Sequence, residues 1–353
     1  MYTSYSIIQR GENMDSLFIL ALFQHGYKAR TSTLYHLLKG KRTSSVLLYG
    51  FLYENLRFFH LIPELSETQF NKNITELVQR QFLVLDDGGE AKITAQGKEI
   101  LLQHENYFIW LDNYRFGKTD ETIWRLLQFT VQVISHLSYA DKQYIPLEQS
   151  PLYQKQLKMY IKSMPKNQLI QTVKQEWTQI FLCLPKEEAD FFAKQFSGYQ
   201  QIGKASFQLM DTKRTAFEKF LLKKERLHHL LQTISKMSED SFLKKFIMPL
   251  LKQNENKSMN ETRYYLNRDL SIEDVAKERR MKKSTVQDHF MELALTSEFP
   301  FERFISNNTC HYLNNYSGPY QEWVYRSLKQ NNPELDYFEF RLYQIQKLRE
   351  ERE

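Results

Sequence analysis

The side chains of this sequence that can do covalent or metal chemistry are few, and their spacing works against it. Asp86, Asp87, Glu90 and Lys92 contain an E-x-K triplet of the kind some nucleases use with magnesium. All four fall beside Gly88 and Gly89 in what reads as a tight hairpin, and a surface turn accounts for them better. His228 and His229 are adjacent, so on a helix they point about 100° apart and cannot share a metal as histidines at i, i+4 do. Cys183 and Cys310 are isolated, which leaves no C-x-x-C site and no disulfide framework; both are expected to be buried thiols. No two of the 11 glycines are separated by a single residue and no G-x-x-x-x-G-K-[ST] occurs, so neither a dinucleotide fingerprint nor a P-loop is present. The Ser, His and Asp residues lack a nucleophile elbow to organise them. The sequence therefore reads as not an enzyme, with no cofactor, no metal and no small-molecule substrate.

A second group of side chains suits the capture of phosphate. Lys39, Lys41 and Arg42 form a basic corner around Gly40. Lys72, Asn73 and Arg80 lie on one predicted helix, and Lys282, Lys283, Ser284, Thr285 and Gln287 cluster at the start of another. Ammonium, hydroxyl and free helix N–H groups meet phosphate oxygens, and a Gln amide can reach a base edge. Acidic neighbours oppose this: Asp86 and Asp87 at the hairpin tip, Asp288 and Glu292 on the second helix. The formal net charge of +6 is unevenly spread. Lys and Arg equal Asp and Glu at 11 each over residues 1–106, exceed them by 23 to 15 over 107–260, and fall short by 14 to 16 over 261–353. A footprint on nucleic acid would be expected in the middle; a solvated lysine-rich face is the alternative reading.

The elements that must position these residues are mostly helices. Gly and Pro number only 11 and 9 in 353 residues, too few for many short strands. Residues 14–25 form an apolar helix, and TSTLYHLL leads into the basic corner. Ser66 caps a helix with Gln69 completing a capping box, and Phe70, Ile74, Leu77 and Val78 form its buried stripe. FLVL, the Asp86–Gly89 turn and EAKI then make a hairpin, with Phe82 packing beneath it or, in the alternative reading, stacking on a base or separating strands, and Thr94 starts a further helix. Helix, hairpin and helix in this order make the C-terminal half of a winged helix. In the middle, Ile123, Trp124, Leu127, Val131 and Ile134 form one stripe, and Leu169, Ile170, Val173, Trp177, Ile180, Phe181 and Leu184 another. These aromatic stripes read as core. A lysine-bearing helix is expected over about 205–236, and the polar stretch 253–258 is the best linker. After it, Ser271 caps a helix, and a short turn leads to a helix capped by Ser284 with Gln287 at its third position. Two short helices joined so tightly are a helix-turn-helix signature. Pro319–Lys329 and Pro333–Glu350 read as two more helices. No apolar run approaches the ~18 residues of a membrane span, and no signal peptide is seen, so a cytoplasmic protein without membrane contact is expected, nucleoid-associated when bound to DNA.

The segment LNRDLSIEDVAKERRMKKSTVQDHFMELA resembles the helix-turn-helix module at the C-termini of RecQ-type DNA helicases, through its Leu270–Arg279 and Ser284–His289 helices. The stretch from Leu37-Leu38-Lys39-Gly40-Lys41 through the Gln69–Arg80 helix to Ile93-Thr94 and Gly97 looks like the winged-helix domain that follows the ATPase core of those helicases. Taken whole, the chain resembles the YpbB-like bacterial proteins, known mainly as products encoded beside a short RecQ-type helicase. The fold expected is mainly α: an N-terminal winged helix with a small β-hairpin over 1–106, a helical middle domain over 107–255, and a C-terminal helix-turn-helix with a helical extension over 256–353. The resemblance implies a non-enzymatic DNA-binding accessory protein acting with a RecQ-type helicase in DNA repair or recombination. Its DNA contacts should be modest in affinity, salt-sensitive and structure-directed. Two alternatives stay open: an adaptor that docks on the helicase with little DNA contact, and a helix-turn-helix transcription regulator.

Overall fold

The computed structural model describes residues 16–103 and 109–352, and these divide into two compact units. One comprises 109–254; the other combines 16–103 with 255–352. The three modules read from the sequence are thus arranged so that the first and third share one unit.

The N-terminal segment builds α1 (Ser16–Ala21), β1 (Ala29–Arg30), α2 (Thr31–Lys39), α3 (Ser44–Leu52), α4 (Glu67–Gln79), β2 (Leu83–Leu85), β3 (Glu90–Ile93) and α5 (Ala95–Leu102). The helix expected over 14–25 is shorter, ending at Ala21 in successive turns; residues 14 and 15 lie outside the described residues. The hairpin forms with Leu83 opposite Ile93 and Leu85 opposite Ala91. A third strand, unforeseen in the sequence, pairs Ala29 with Ala91, so β3 lies between β1 and β2 in an antiparallel sheet. Also unforeseen is α3, which carries seven consecutive buried residues, Val46 to Leu52. Burial all round is the mark of a helix enclosed by neighbours on every side. Ser66 caps α4 by accepting from the Gln69 N–H at 3.1 Å, while the Gln69 amide turns to Asn73. Thr94 caps α5 by accepting from Gly97, where a Cβ would stand 2.4 Å from the Phe82 carbonyl oxygen. Phe82 itself is half-buried.

The middle unit contains α6 (Asn113–Phe116), α7 (Asp120–Ser138), α8 (Pro151–Ile161), α9 (Lys166–Cys183), α10 (Lys186–Ala193), α11 (Ala216–Ser235) and α12 (Phe242–Leu251). Both sequence stripes enter one core with Leu227, Leu230, Phe242 and Phe246, with Val131, Ile170 and Phe181 only partly buried at its edge. The lysine-bearing helix starts at Ala216 because Thr215 and Glu218 close a reciprocal capping box there. Cys183 corrects an expectation: it is exposed, the last residue of α9 and next to the equally exposed Leu182, and Cys310 is only half-buried.

The C-terminal segment adds α13 (Lys257–Leu266), α14 (Ile272–Glu278), α15 (Lys283–Thr296), α16 (Asn307–Asn314), α17 (Tyr325–Asn331) and α18 (Tyr337–Arg352). Ser271 caps α14 by accepting from Asp274 at 3.1 Å. Ser284, expected to cap α15, sits inside its first turn; Lys282 occupies the cap position, its carbonyl accepting from Thr285 and Val286. The shift follows from Arg280, whose φ of 51° turns the chain early and lets the Met281 N–H reach back to Ala276. The helix expected from Pro319 begins only at Tyr325, after a single 3-10 turn. Leu335, Phe338, Leu342, Ile345 and Leu348 are all buried, as their spacing predicts. The fold is mainly helical, with one small three-stranded sheet and a C-terminal helix-turn-helix.

Candidate nucleic-acid interface

The basic corner is shaped by Gly40, which ends α2 in the left-handed conformation at φ 84°. A Cβ there would lie 2.2 Å from the His60 ring, so glycine is required on two counts. Lys39 and Lys41 emerge exposed. Arg42 does not: its guanidinium turns to Glu292 of α15, with Nε and Nη2 both donating to Oε1, the Nε contact at 3.1 Å. The Glu292 side chain is only 7% exposed and that of Arg42 28%, so this pair links the N-terminal segment to α15 within the unit. The sequence read Glu292 as a charge that repels phosphate and Arg42 as one that attracts it. Two hundred and fifty residues apart, they carried no local signal of pairing.

On α4, Lys72 and Arg80 are exposed, whereas Asn73 is 3% exposed and accepts from the Gln69 amide at 3.3 Å. Asn73 is therefore part of the packing between α4 and its neighbours and is withdrawn from the surface set. At the hairpin tip, Asp86 makes the turn: Oδ1 accepts from the Gly88 and Glu90 N–H groups at 3.0 and 2.9 Å, and Lys28 Nζ donates to Oδ2 at 3.0 Å. The Glu90 N–H and the Lys28 ammonium hold this carboxyl below its usual range. One of the two tip charges thus has its own counter-ion. Lys28 was missed in the sequence because it stands 58 residues away on the approach to β1.

In the helix-turn-helix, Lys282, Lys283 and Ser284 are exposed, and Thr285 and Gln287 are half-buried. Lys283 donates to Glu273 of α14 at 2.6 Å; that hydrogen bond raises the lysine's pKa and lowers the glutamate's. Both side chains are more than half exposed, and such a pair contributes little. Beyond the first turn α15 is enclosed. Every residue from Phe290 to Leu295 is buried, and Arg349 of α18 donates to the Ala294 carbonyl at 2.9 Å. A recognition helix enters the major groove with its N-terminal residues towards the base edges. This one offers its first turn and Asp288, with the rest spent on α3, α13, α14 and α18. Arg279 and His289, the ends of the two motif helices, meet around Thr262: Arg279 donates to Thr262, to the Ser258 carbonyl at 2.6 Å and to Glu261 at 2.6 Å. The His289 ring lies 2.7 Å from the Thr262 hydroxyl, and burial, with Arg279 beside it, keeps its pKa low.

The residues weighed for catalysis are placed elsewhere. His228 Nε2 lies 2.9 Å from Asp120, its Nδ1 accepting from the Asp112 N–H at 3.0 Å, while His229 faces Glu188 at 2.7 Å. Lys224 Nζ also meets Asp120, at 2.5 Å. Burial pushes the Asp120 carboxyl up, but Lys224 and His228 outweigh it and hold it at about 2. Among the described residues no three His, Cys, Asp or Glu side chains gather into a metal-binding group, and no helix is long and apolar enough to cross a membrane.

Comparison with known proteins places a helix-turn-helix domain family on residues 258–344. The chain is also similar to Protein YpbB of Bacillus subtilis (strain 168), with 23% identity over 273 residues, covering 75% of this chain and 77% of that protein. The resemblance to YpbB-like proteins therefore extends well beyond the helix-turn-helix. No solved structure matches.

Proposed function

We propose that this protein is a non-enzymatic DNA-binding accessory factor that acts with a RecQ-type DNA helicase in repair or recombination, in the cytoplasm and on the nucleoid. The observation that carries the reading is the helix-turn-helix whose open first turn presents Lys282, Lys283 and Ser284 beside unbonded helix N–H groups. Such a turn grips backbone phosphate and selects DNA by structure rather than sequence. A sequence-reading transcription regulator would in addition require a symmetric dimer on a palindromic site. The exposed Lys39, Lys41, Lys72 and Arg80 supply further backbone contacts in this reading. The adaptor alternative draws on a different observation, the exposed Tyr264, Tyr316, Val324 and Tyr337 of the C-terminal segment, which suit a protein surface.

The test is a titration with single-stranded, duplex, forked and junction DNA at two salt concentrations, alone and with a RecQ-type helicase. Binding to forks or junctions that weakens with salt, and that K282Q/K283Q reduces, supports the proposal. A helicase complex that survives nuclease treatment with no DNA binding at low salt overturns it in favour of the adaptor.

A further inference from the structure

The middle unit carries a charged surface that neither end segment accounts for. From Gln149 to Lys186 the sequence has six lysines, at 155, 158, 162, 166, 174 and 186, and a single carboxylate, Glu176. All six lysines are exposed, and none forms an ion pair among the described residues. Glu176 is buried and spent: it accepts from the Phe242 and Leu243 N–H groups at 2.7 and 2.9 Å and from the Ser241 hydroxyl at 3.0 Å, capping α12. The surface of α8 and α9 therefore carries positive charge with no negative charge among it.

The lysines are also in register. Lys155, Lys158 and Lys162 stand at i, i+3 and i+7, one face of α8 and its C-cap, spanning about 10 Å along the helix axis. Each strand of duplex DNA carries one charge per ~3.4 Å of axis, so such a row faces roughly three phosphates of one strand. Lys166 opens α9 just beyond. Aromatic side chains are absent from this exposed face: Tyr153, Tyr160 and Phe181 are half-buried, and Trp177 is buried. Single-strand binding draws on aromatic stacking platforms as well as charge; the exposed apolar side chains beside these lysines, Leu152, Met159 and Leu182, are aliphatic.

We propose that α8 and the start of α9 bind the phosphate backbone of duplex DNA through Lys155, Lys158, Lys162 and Lys166, independently of base sequence. The site shares its ligand with the DNA-binding reading above but none of its residues. The test measures duplex affinity by fluorescence anisotropy across a salt series for the full chain, K155Q/K158Q/K162Q, K155R/K158R/K162R and K282Q/K283Q. Loss of three phosphate contacts should flatten the slope of log K against log salt by about 2.7, at about 0.9 per contact, and lower affinity at least tenfold at low salt. The arginine variant, which keeps the charge, should bind like the parent. If the glutamine triple matches the parent in affinity and slope while K282Q/K283Q does not, the α8 site is overturned and the helix-turn-helix reading stands. The reverse pattern keeps the α8 site and removes the helix-turn-helix from the DNA contact. Equal or larger losses on single-stranded DNA, or on anionic phospholipid vesicles in place of duplex, also overturn it.

Discussion

Replacing Arg42 by alanine separates the two roles this residue could have. In the structure its guanidinium serves Glu292, whose side chain is 7% exposed, and lies 5.7 Å from the centre of the Phe59 ring. Removing one partner of a buried pair costs about 3–5 kcal/mol, because the remaining charge keeps its desolvation penalty. Arg42 is itself 28% exposed, so water recovers part of that, and about 2–3 kcal/mol is expected. With a urea m-value of about 2–3 kcal/mol/M, the midpoint should fall by roughly 1 M. Hydrogen exchange resolved by peptide should locate the loss in α15 and in the turn that leads into α3, which the pair joins. The double variant R42M/E292L, which removes both charges, should recover most of the stability. An unchanged midpoint in R42A together with weakened DNA binding would refute the argument and return Arg42 to the phosphate-contacting set.

Three further outcomes follow from the same geometry. Burial holds His25 neutral, with its pKa lowered to about 4, and its Nδ1 accepts from the Tyr27 N–H at 3.0 Å. The unfolded state takes up a proton near pH 6.5 and the folded state does not, so stability should fall between pH 6.5 and 4 by at most about 3 kcal/mol. His25→Asn should flatten that limb of the stability–pH curve, and an unaltered limb would show that other groups set it. Asp120→Ala removes the carboxylate that Lys224 and His228 share and should destabilise the middle unit by about 3–5 kcal/mol, whereas a Tm within a degree or two of the parent would sink the assignment. Gly97→Ala forces a Cβ to 2.4 Å from the Phe82 carbonyl oxygen, so loss of exchange protection in β2, β3 and α5 is expected, with the middle unit unaffected.

Features decided within a few residues were legible in the sequence. Ser66, Thr94 and Ser271 cap the helices their spacing indicates, and the Asp86–Gly89 turn forms the hairpin. The apolar run VLLYGFL was equally visible, but with no polar face it carried no periodicity from which to infer α3. What failed was decided by distant partners. Glu292 and Arg42 each looked like a surface charge, and Asn73 a polar group on an exposed face, until α15 and α4 were packed. Cysteine is usually buried, a tendency that does not register that Cys183 ends α9 beside the exposed Leu182. The lysine row on α8 was legible in composition, as a basic excess, but its lack of carboxylates became meaningful only with Glu176 seen to be buried.

The division of one unit between residues 16–103 and 255–352 bears on how the chain is made. The buried helix α3 needs α15, and about 230 residues separate Leu52 from Lys283. At about 5–20 residues per second, ribosomal synthesis leaves the VLLYGFL face waiting roughly 10–50 s for its cover. During that interval the middle unit, continuous over its described residues 109–254, can fold. The nascent chain is then a folded domain tethered to one whose apolar helix still lacks its cover, the state in which exposed apolar surface invites association.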